Sequence, residues 1–126
     1  MLTPEISIVT GWGAHLGTGH IQRMATLADF INSHTAMRAM IVCEGIPDFI
    51  PRHLHECFSG DILAESRLII RDKRDSSIDE MTKLKERGRV ITVDDCGPGR
   101  ELADAAMDLL PNLKYSINKK ELFIYG

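Results

Sequence analysis

The side chains best suited to chemistry are His20 and Arg23, which close a glycine-rich stretch over residues 11–23. An apolar run at residues 6–9 precedes this stretch and a helical pattern follows it, so the glycines are predicted to join a strand to a helix. Glycine permits positive φ and lets another molecule approach the backbone closely. The first turn of a helix offers unpaired N–H groups and partial positive charge, which suits an anion such as phosphate. His20 and Arg23 are one helical turn apart and are therefore predicted on the same side of that helix start.

His20 is the candidate catalytic residue. The positive end of the helix dipole disfavours a charged imidazole, so His20 is expected to stay neutral and to act as a base. A surface or capping histidine is the alternative. Gly17, Thr18 and Gly19 are candidate ligand-binding residues, with a simple tight turn as the alternative. Their spacing matches neither the dinucleotide-binding fingerprint nor a Walker loop.

Two further polar clusters follow predicted strands. A charged run over residues 71–75 comes after the apolar residues 68–70, and Asp94-Asp95 comes after residues 89–93. Most charge runs are solvated surface, but this one follows a strand and is predicted to belong in part to the wall of a cleft. Within it, Asp72 could orient His20 or bind a ligand hydroxyl. Asp94 and Asp95 could bind hydroxyls, and Asp95 could instead cap the next helix. Because ligands bind beyond the carboxyl ends of parallel strands, we expect all three clusters to meet at one edge of a sheet.

Short β-branched apolar runs alternate with helical patterns along the chain. This alternation predicts an α/β fold, with a Rossmann-like, mostly parallel sheet flanked by helices in one domain over residues 1–126. In the second predicted helix, Ser77 and Glu80 form a capping box and Gly88 ends the helix. The predicted strands are residues 6–9, 37–42, 68–70, 89–93, 105–108 and 121–125; the predicted helices are residues 19–32 and 78–87, with a short helix within residues 47–60 and a helical turn at residues 101–104.

The composition narrows the function classes. A chain of 126 residues that is 44% hydrophobic and 26% charged has the size and make-up of one globular domain. A net charge of -3 argues against general nucleic-acid binding, and no apolar run reaches the length of a membrane span. Three scattered cysteines and the absence of a signal-peptide pattern favour a cytoplasmic protein with reduced thiols. His53, His55 and Cys57 alternate as zinc ligands could, but a second ligand pair is missing, so we expect no metal and no cofactor.

A family resemblance rests on Gly17-Thr18-Gly19-His20-Ile21-Gln22-Arg23, followed by Leu27-Ala28. This stretch resembles the GxGHxxR…LA signature of the PseG-like and spore-coat-polysaccharide (SpsG-like) proteins, which are related to the MurG-type GT-B glycosyltransferases. Residues 90–95, with Arg100 behind them, resemble the second block of that family, a strand ending in an acidic pair. The resemblance covers almost the whole chain and corresponds to the N-terminal half of the family.

The resemblance implies two Rossmann-like domains with a cleft between them, of which this chain would be the N-terminal one. PseG-type members hydrolyse a UDP-linked deoxyamino sugar, and the signature histidine, here His20, is their proposed base for activating water. A UDP-linked nucleotide sugar is therefore the implied ligand, and a C-terminal GT-B domain the implied partner. Weak or absent activity of the isolated chain follows. Those hydrolases often carry Asp-x-Tyr where this chain has Asp72-Lys73-Arg74, which leaves hydrolysis or transfer open.

The leading prediction is a nucleotide-sugar-processing enzyme of surface polysaccharide or glycan biosynthesis. His20 would be its base, and Arg23 and the loop amides would stabilise negative charge. Asp72, Asp94 and Asp95 would orient sugar hydroxyls. The alternative is a stand-alone, non-catalytic ligand-binding or assembly domain that closes its cleft as a homodimer. A Rossmann-like nucleotide-binding protein unrelated to sugars is disfavoured because the usual fingerprint is missing.

Overall fold

The computed structural model describes residues 5–13, 17–43, 45–60, 65–109 and 121–123. Its strands are β1 Ile6–Thr10, β2 Ala39–Val42, β3 Phe58–Gly60, β4 Leu68–Asp72, β5 Arg89–Val93, β6 Ala105–Asp108 and β7 Glu121–Phe123. Its α-helices are α1 Gly19–His34 and α2 Ile78–Lys85, and short 3₁₀ helices span Arg52–Cys57 and Pro98–Leu102. The described strands form one seven-stranded sheet in the order β3-β2-β1-β4-β5-β6-β7. Every neighbouring pair is parallel, so the predicted Rossmann-like α/β fold is confirmed.

Strand β1 lies inside the sheet, between β2 and β4. The chain moves outward from β1 through β2 to β3, returns to the other side of β1 at β4, and then continues outward to β7. At such a reversal the loops after the two central strands lead in opposite directions, which leaves a crevice where ligands bind. The register places Thr10 opposite Asp72 at the carboxyl edge of β1 and β4. The Thr10 hydroxyl donates a hydrogen bond to the Asp72 carbonyl at 2.9 Å, which joins the two strand ends.

The core has two parts, each formed by one α-helix against the sheet. Helix α1 packs on β1, β2 and β4, and its buried residues recur at helical spacing. Each fully buried isoleucine of this part, such as Ile8 or Ile41, stabilises the fold by roughly 1.5–3 kcal/mol. Helix α2 forms the second part against β4 and β5, through Met81 and Leu84. The buried residues of α1 are Ile21, Met24, Ala25 and Ala28.

Several predicted strand boundaries differ from the structure, and β1 runs one residue further than predicted, to Thr10. Strand β2 begins at Ala39, not at residue 37, because the Asn32 side chain at the end of α1 binds the N–H and the C=O of Ala39 at 2.7 and 3.0 Å. Strand β4 runs two residues further than predicted, so Arg71 and Asp72 belong to the sheet and are buried rather than solvated. The three-residue β3 was not predicted, and residues 124 and 125 of the last predicted strand lie outside the described residues.

The predicted start of α2 is confirmed in part. The Ser77 hydroxyl accepts the Glu80 N–H at 3.0 Å, as an N-cap should. The Glu80 carboxylate binds buried Arg71 instead of completing the capping box. The helix ends at Lys85, and Gly88 does not have a left-handed conformation. A Cβ at Gly88 would lie 2.2 Å from the Ser66 carbonyl, so close approach of two segments is what requires glycine there.

The second short 3₁₀ helix also starts earlier than the turn predicted at residues 101–104. It begins at Pro98, whose fixed φ suits the first helical position. Among the described residues, no helix has both the length and the apolar character needed to cross a bilayer.

Candidate functional site

The glycine-rich loop is closed by two reciprocal backbone hydrogen bonds. The Gly13 N–H donates to the Gly17 carbonyl at 3.2 Å, and the Gly17 N–H donates to the Gly13 carbonyl at 2.7 Å. Both residues have positive φ, +130° and +70°, and no described heavy atom lies within 4 Å of a Cβ at either position. Backbone conformation, not crowding, therefore requires glycine at these two positions.

Gly19 differs from the other two glycines of the loop. Its φ is not positive, and no described heavy atom lies within 4 Å of a Cβ placed there. It is the first residue of α1, where Thr18 makes no side-chain capping bond and the first turn carries no acidic residue. The start of α1 thus presents backbone N–H groups without a side-chain cap, beside a position where a Cβ would meet open space.

His20 is held by the buried carboxylate of Asp72. The His20 Nδ1 lies 2.7 Å from Asp72 Oδ1, and the Asp72 side chain is 0% exposed. A carboxylate beside an arginine only accepts hydrogen bonds, so this contact assigns the imidazole proton to Nδ1. Nε2, which has no hydrogen-bond partner among the described residues, is then left as the proton acceptor. This is the arrangement of a general base oriented by a carboxylate.

Arg23 joins the two aspartates of the site. Its Nε and Nη2 each donate to Asp72 at 2.5 Å, and Nη2 also donates to Asp94 Oδ2 at 3.0 Å. The hydrogen bond to Asp72 raises the pKa of Arg23 more than burial lowers it, and Asp94 adds to the rise. The described residues accept no hydrogen bond from Nη1. The guanidinium therefore stays charged and is fixed from one side, while the two N–H groups of Nη1 have no acceptor among the described residues.

Asp94 has a backbone conformation that few residues other than glycine adopt. Its φ is +50°, a left-handed value that aspartate tolerates better than most residues. The Asp94 N–H donates to the Met107 carbonyl and Oδ1 accepts the Leu109 N–H, both at 2.8 Å. The end of β5 is thereby tied to the end of β6, while the other carboxylate oxygen meets Arg23.

These elements enclose one side of an open cavity of about 510 Å³. Residues from all three predicted polar clusters line it, so the expected convergence at the carboxyl edge is present. Asp72 lies beneath this lining, in contact with His20 and Arg23. We call His20, Arg23, Asp72 and Asp94 the cavity cluster. The lining residues are Gly17, Thr18, Gly19, His20, Arg23, Arg74, Asp75, Asp94 and Cys96.

Asp95 does not line the cavity, although Asp94 and Cys96 on either side of it do. Its carboxylate is fully buried and accepts hydrogen bonds from the backbone and hydroxyl of Ser76, from the Thr92 hydroxyl and from the Gly97 N–H, at 2.5–2.9 Å. Burial alone would raise the pKa of Asp95, but its hydrogen bonds together lower it below the ordinary value. The Asp95 carboxylate makes no hydrogen bond to the described residues that line the cavity. Its role in binding sugar hydroxyls therefore stays a prediction.

Asp95 belongs to a second set of buried polar residues. Arg100 donates to the Asp95 carbonyl at 2.8 Å and forms a two-pronged pair with Asp108 at 2.8 and 2.9 Å. Both side chains of that pair are almost fully buried, at 1% and 0% exposed. We call Ser76, Thr92, Asp95, Arg100 and Asp108 the buried cluster. Its hydrogen bonds hold the loops that follow β4 and β5.

Cys96 was not predicted as a site residue, although it lines the cavity. Arg74 and Asp75 were predicted only as members of a charged run with a mixed surface and cleft-wall role, and both line the cavity. The available signal was position, because all three follow the ends of β4 and β5. The zinc alternative finds no support in the described residues, where no group of three or more metal-ligating side chains occurs. His55 Nε2 instead lies 2.9 Å from the Ile50 carbonyl, and Cys57 is buried.

The fold and the cavity define an α/β protein of the Rossmann-like class with a polar crevice where the strand order reverses. No protein-family model, curated protein or solved structure matches this chain.

Proposed function

We propose that this chain binds a nucleotide sugar, UDP-linked by its resemblance, in the cavity after β1, β4 and β5. We propose further that His20 acts there as the general base of a hydrolase or glycosyltransferase of surface polysaccharide or glycan biosynthesis. One observation carries the proposal: an imidazole oriented by a buried carboxylate faces a cavity at the place where such sheets bind ligands.

The chemistry follows from the protonation of His20. With its proton on Nδ1, His20 can take a proton at Nε2 from a water molecule or an acceptor hydroxyl. The oxygen so activated attacks the anomeric carbon, the bond from that carbon to the phosphate oxygen breaks, and the nucleoside diphosphate leaves with the electron pair. Asp72 stabilises the imidazolium that forms, because its carboxylate lies 2.7 Å from Nδ1.

The remaining residues of the cavity lining are suited to binding the ligand, and not to acting as the base. Gly19 leaves room for a ligand atom close to the first N–H groups of α1, which favour negative charge. The two free donors on Arg23 Nη1 can bind a ligand oxygen, while Asp94 can accept from a hydroxyl in addition to Arg23. The side of the cavity that faces away from these residues would be supplied by a C-terminal domain or a second copy of the chain. The isolated chain is therefore expected to bind weakly and to turn over slowly or not at all.

Isothermal titration with UDP and a small panel of UDP-sugars tests the proposal. We expect at least one UDP-sugar to bind, and His20→Ala to weaken it by about tenfold, the value of roughly one hydrogen bond to a ligand. His34→Ala is the matched control, because His34 is exposed and ends the same helix about 21 Å away along its axis. His20 would be excluded as the base if the wild type and the His20 variant bound equally well and also hydrolysed UDP-sugars equally well when assembled with a C-terminal domain or a second copy. Binding that depends on His20 without turnover in that assembly would instead favour the non-catalytic domain.

A further inference from the structure

We infer that Arg74 binds an oxyanion of the ligand, a phosphate or carboxylate group, inside the cavity. The inference rests on the proposed function only for the identity of the ligand that carries this group. It comes from three properties of the loop after β4: its unneutralised charge, its fixed backbone and its position in the cavity lining.

Arg74 differs in charge balance from Arg23, the other arginine of the lining. Arg23 is bonded to two carboxylates, so its charge is already compensated within the cavity cluster. Arg74 is exposed, and its guanidinium forms no ion pair and no hydrogen bond with the described residues. It is therefore the cation of the described lining whose charge remains available to a ligand.

The backbone that carries Arg74 is held from the side of β4. Buried Arg71 donates from Nη1 to the Lys73 carbonyl at 3.0 Å and from Nη2 to the Arg74 carbonyl at 2.8 Å. The same guanidinium is fixed by two hydrogen bonds to Glu80 on α2, at 2.9 and 3.0 Å. An arginine that is only 2% exposed thus positions the loop instead of facing solvent.

The loop is held equally firmly from the side of β5. Ser76 donates its N–H and its hydroxyl to Asp95, and its carbonyl accepts the Gly99 N–H at 3.1 Å. A Cβ at Gly97 would lie 2.2 Å from the Ser76 carbonyl, and a Cβ at Gly99 would lie 2.4 Å from the Ser77 carbonyl. Because the backbone on both sides of Arg74 is already fixed, less backbone conformational entropy is lost when its side chain binds a ligand.

An oxyanion is the ligand group that this arrangement favours. A guanidinium presents paired N–H donors that match the oxygens of a phosphate or a carboxylate. Asp75 and Asp94 also line the cavity and repel an anion, so an anionic group is favoured near Arg74 over their own surroundings. Phosphate would come from the nucleotide part of the ligand, and carboxylate from an acidic sugar.

The experiment compares Arg74→Gln with wild type by isothermal titration at low ionic strength. The probes are pyrophosphate, UDP, UDP-glucose, UDP-glucuronate and free glucuronate. The control is Arg67→Gln, which removes the same charge from an 81% exposed side chain paired only loosely with Glu5. We expect Arg74→Gln to weaken the binding of its oxyanion by about 10- to 100-fold, as for a charged hydrogen bond, and Arg67→Gln to leave it unchanged.

The probes separate the two sources of the oxyanion. Equal losses for pyrophosphate, UDP and both UDP-sugars would identify a phosphate. A loss confined to glucuronate and to the advantage of UDP-glucuronate over UDP-glucose would identify a carboxylate. Wild-type affinity of Arg74→Gln for every probe would overturn the inference, as would the failure of wild type to bind any of these anions at millimolar concentration.

The same titrations distinguish this inference from the proposed function. Pyrophosphate binding that depends on Arg74, with UDP-sugars bound no tighter than pyrophosphate and no effect of His20→Ala, would support the oxyanion site and reject the nucleotide-sugar enzyme. UDP-sugar binding that depends on His20 but not on Arg74 would do the reverse.

Discussion

The cavity cluster and the buried cluster lie side by side at the carboxyl edge of the sheet, yet they use their hydrogen bonds differently. The buried cluster directs its donors and acceptors to the protein, as the four bonds to Asp95 and the pair between Arg100 and Asp108 show. The cavity cluster keeps two kinds of group without a described partner, Nε2 of His20 and Nη1 of Arg23. The adjacent residues Asp94 and Asp95 fall in different clusters. Polar residues that stabilise the fold and those available to a ligand can thus be told apart by which atoms remain unused.

Breaking the buried cluster should have the largest effect on stability. Arg100→Ala leaves the buried Asp108 carboxylate without its two-pronged partner, and we expect a loss of about 3–5 kcal/mol in the free energy of unfolding. Urea denaturation measures this loss. The control is Lys83→Ala, which removes an exposed pair with Asp79 and should change stability by no more than about 0.5 kcal/mol. A loss as small as that of the control would show that the pair does not support the fold.

Acid should weaken the buried cluster in a defined pH range. The folded pKa of Asp95 is lowered, so its contribution to stability is fully present above its unfolded pKa of about 3.9 and disappears as the pH falls through the folded value. Asp95→Asn should cost up to about 3 kcal/mol at neutral pH, because an amide cannot accept all four donors. It should also flatten the fall in stability below about pH 4, measured by urea titration at each pH. An unchanged acid slope in the variant would contradict this assignment.

Altering the cavity cluster should change the chemistry of His20 more than the fold. Asp72→Asn is expected to cost about 1–3 kcal/mol of stability, since the carboxylate is buried with three donors around it. Wild-type His20 should carry its proton on Nδ1 when neutral, and the variant should lose this preference. ¹⁵N NMR of the imidazole distinguishes the two tautomers. Asp94→Asn, which contacts Arg23 but not His20, should leave the tautomer as in wild type; a wild-type tautomer in Asp72→Asn would remove Asp72 from its positioning role.

Substitutions at two glycines, one beside each cluster, extend the comparison between the buried cluster and the cavity cluster. Gly97→Ala should cost about 1–3 kcal/mol, because the new Cβ meets the Ser76 backbone and must displace the loop. Gly19→Ala should leave stability within about 1 kcal/mol of wild type, because its Cβ meets no described atom. Its expected effect is weaker ligand binding, measured by the same titration as for His20→Ala. If Gly19→Ala bound ligand like wild type, the start of α1 would not be in contact with the ligand.

The starts of the two α-helices give the smallest expected effect. Ser77→Ala removes the N-cap of α2 and should cost about 1 kcal/mol. Thr18→Ala removes a residue that makes no capping bond in α1, so its cost should be clearly smaller. Thermal or urea unfolding of both variants makes the comparison. Equal losses would mean that the start of α1 is capped after all.

The alternation of apolar runs and helical patterns was enough to predict the sheet, since strands buried on both faces are continuous apolar runs. The end of β4 was predicted two residues too early, because Arg71 and Asp72 are charged and only their partners Glu80, His20 and Arg23 explain their burial. Those partners lie 9 to 52 positions away in the chain, so no local pattern could identify them.

The different contacts of Asp94 and Asp95 could not be predicted from the sequence either. The two residues look equivalent as a carboxylate pair at a strand end. The left-handed backbone at Asp94 turns the chain, so that one side chain meets Arg23 and the next meets Ser76. A single φ value of this kind has no dependable sequence signature except glycine or asparagine. For Arg74 and Asp75 the sequence predicted a charged run with a mixed surface and cleft-wall role, because a run of charges does not show which of its residues face a cavity.

The left-handed conformation of Asp94 has a consequence for how this site can evolve. At φ +50° a glycine, asparagine or aspartate is tolerated, and a β-branched side chain is strongly disfavoured. Glycine has no side chain to reach Arg23, and asparagine would bring no charge to balance it. Any descendant that keeps the guanidinium in place is therefore restricted to very few residues at this position.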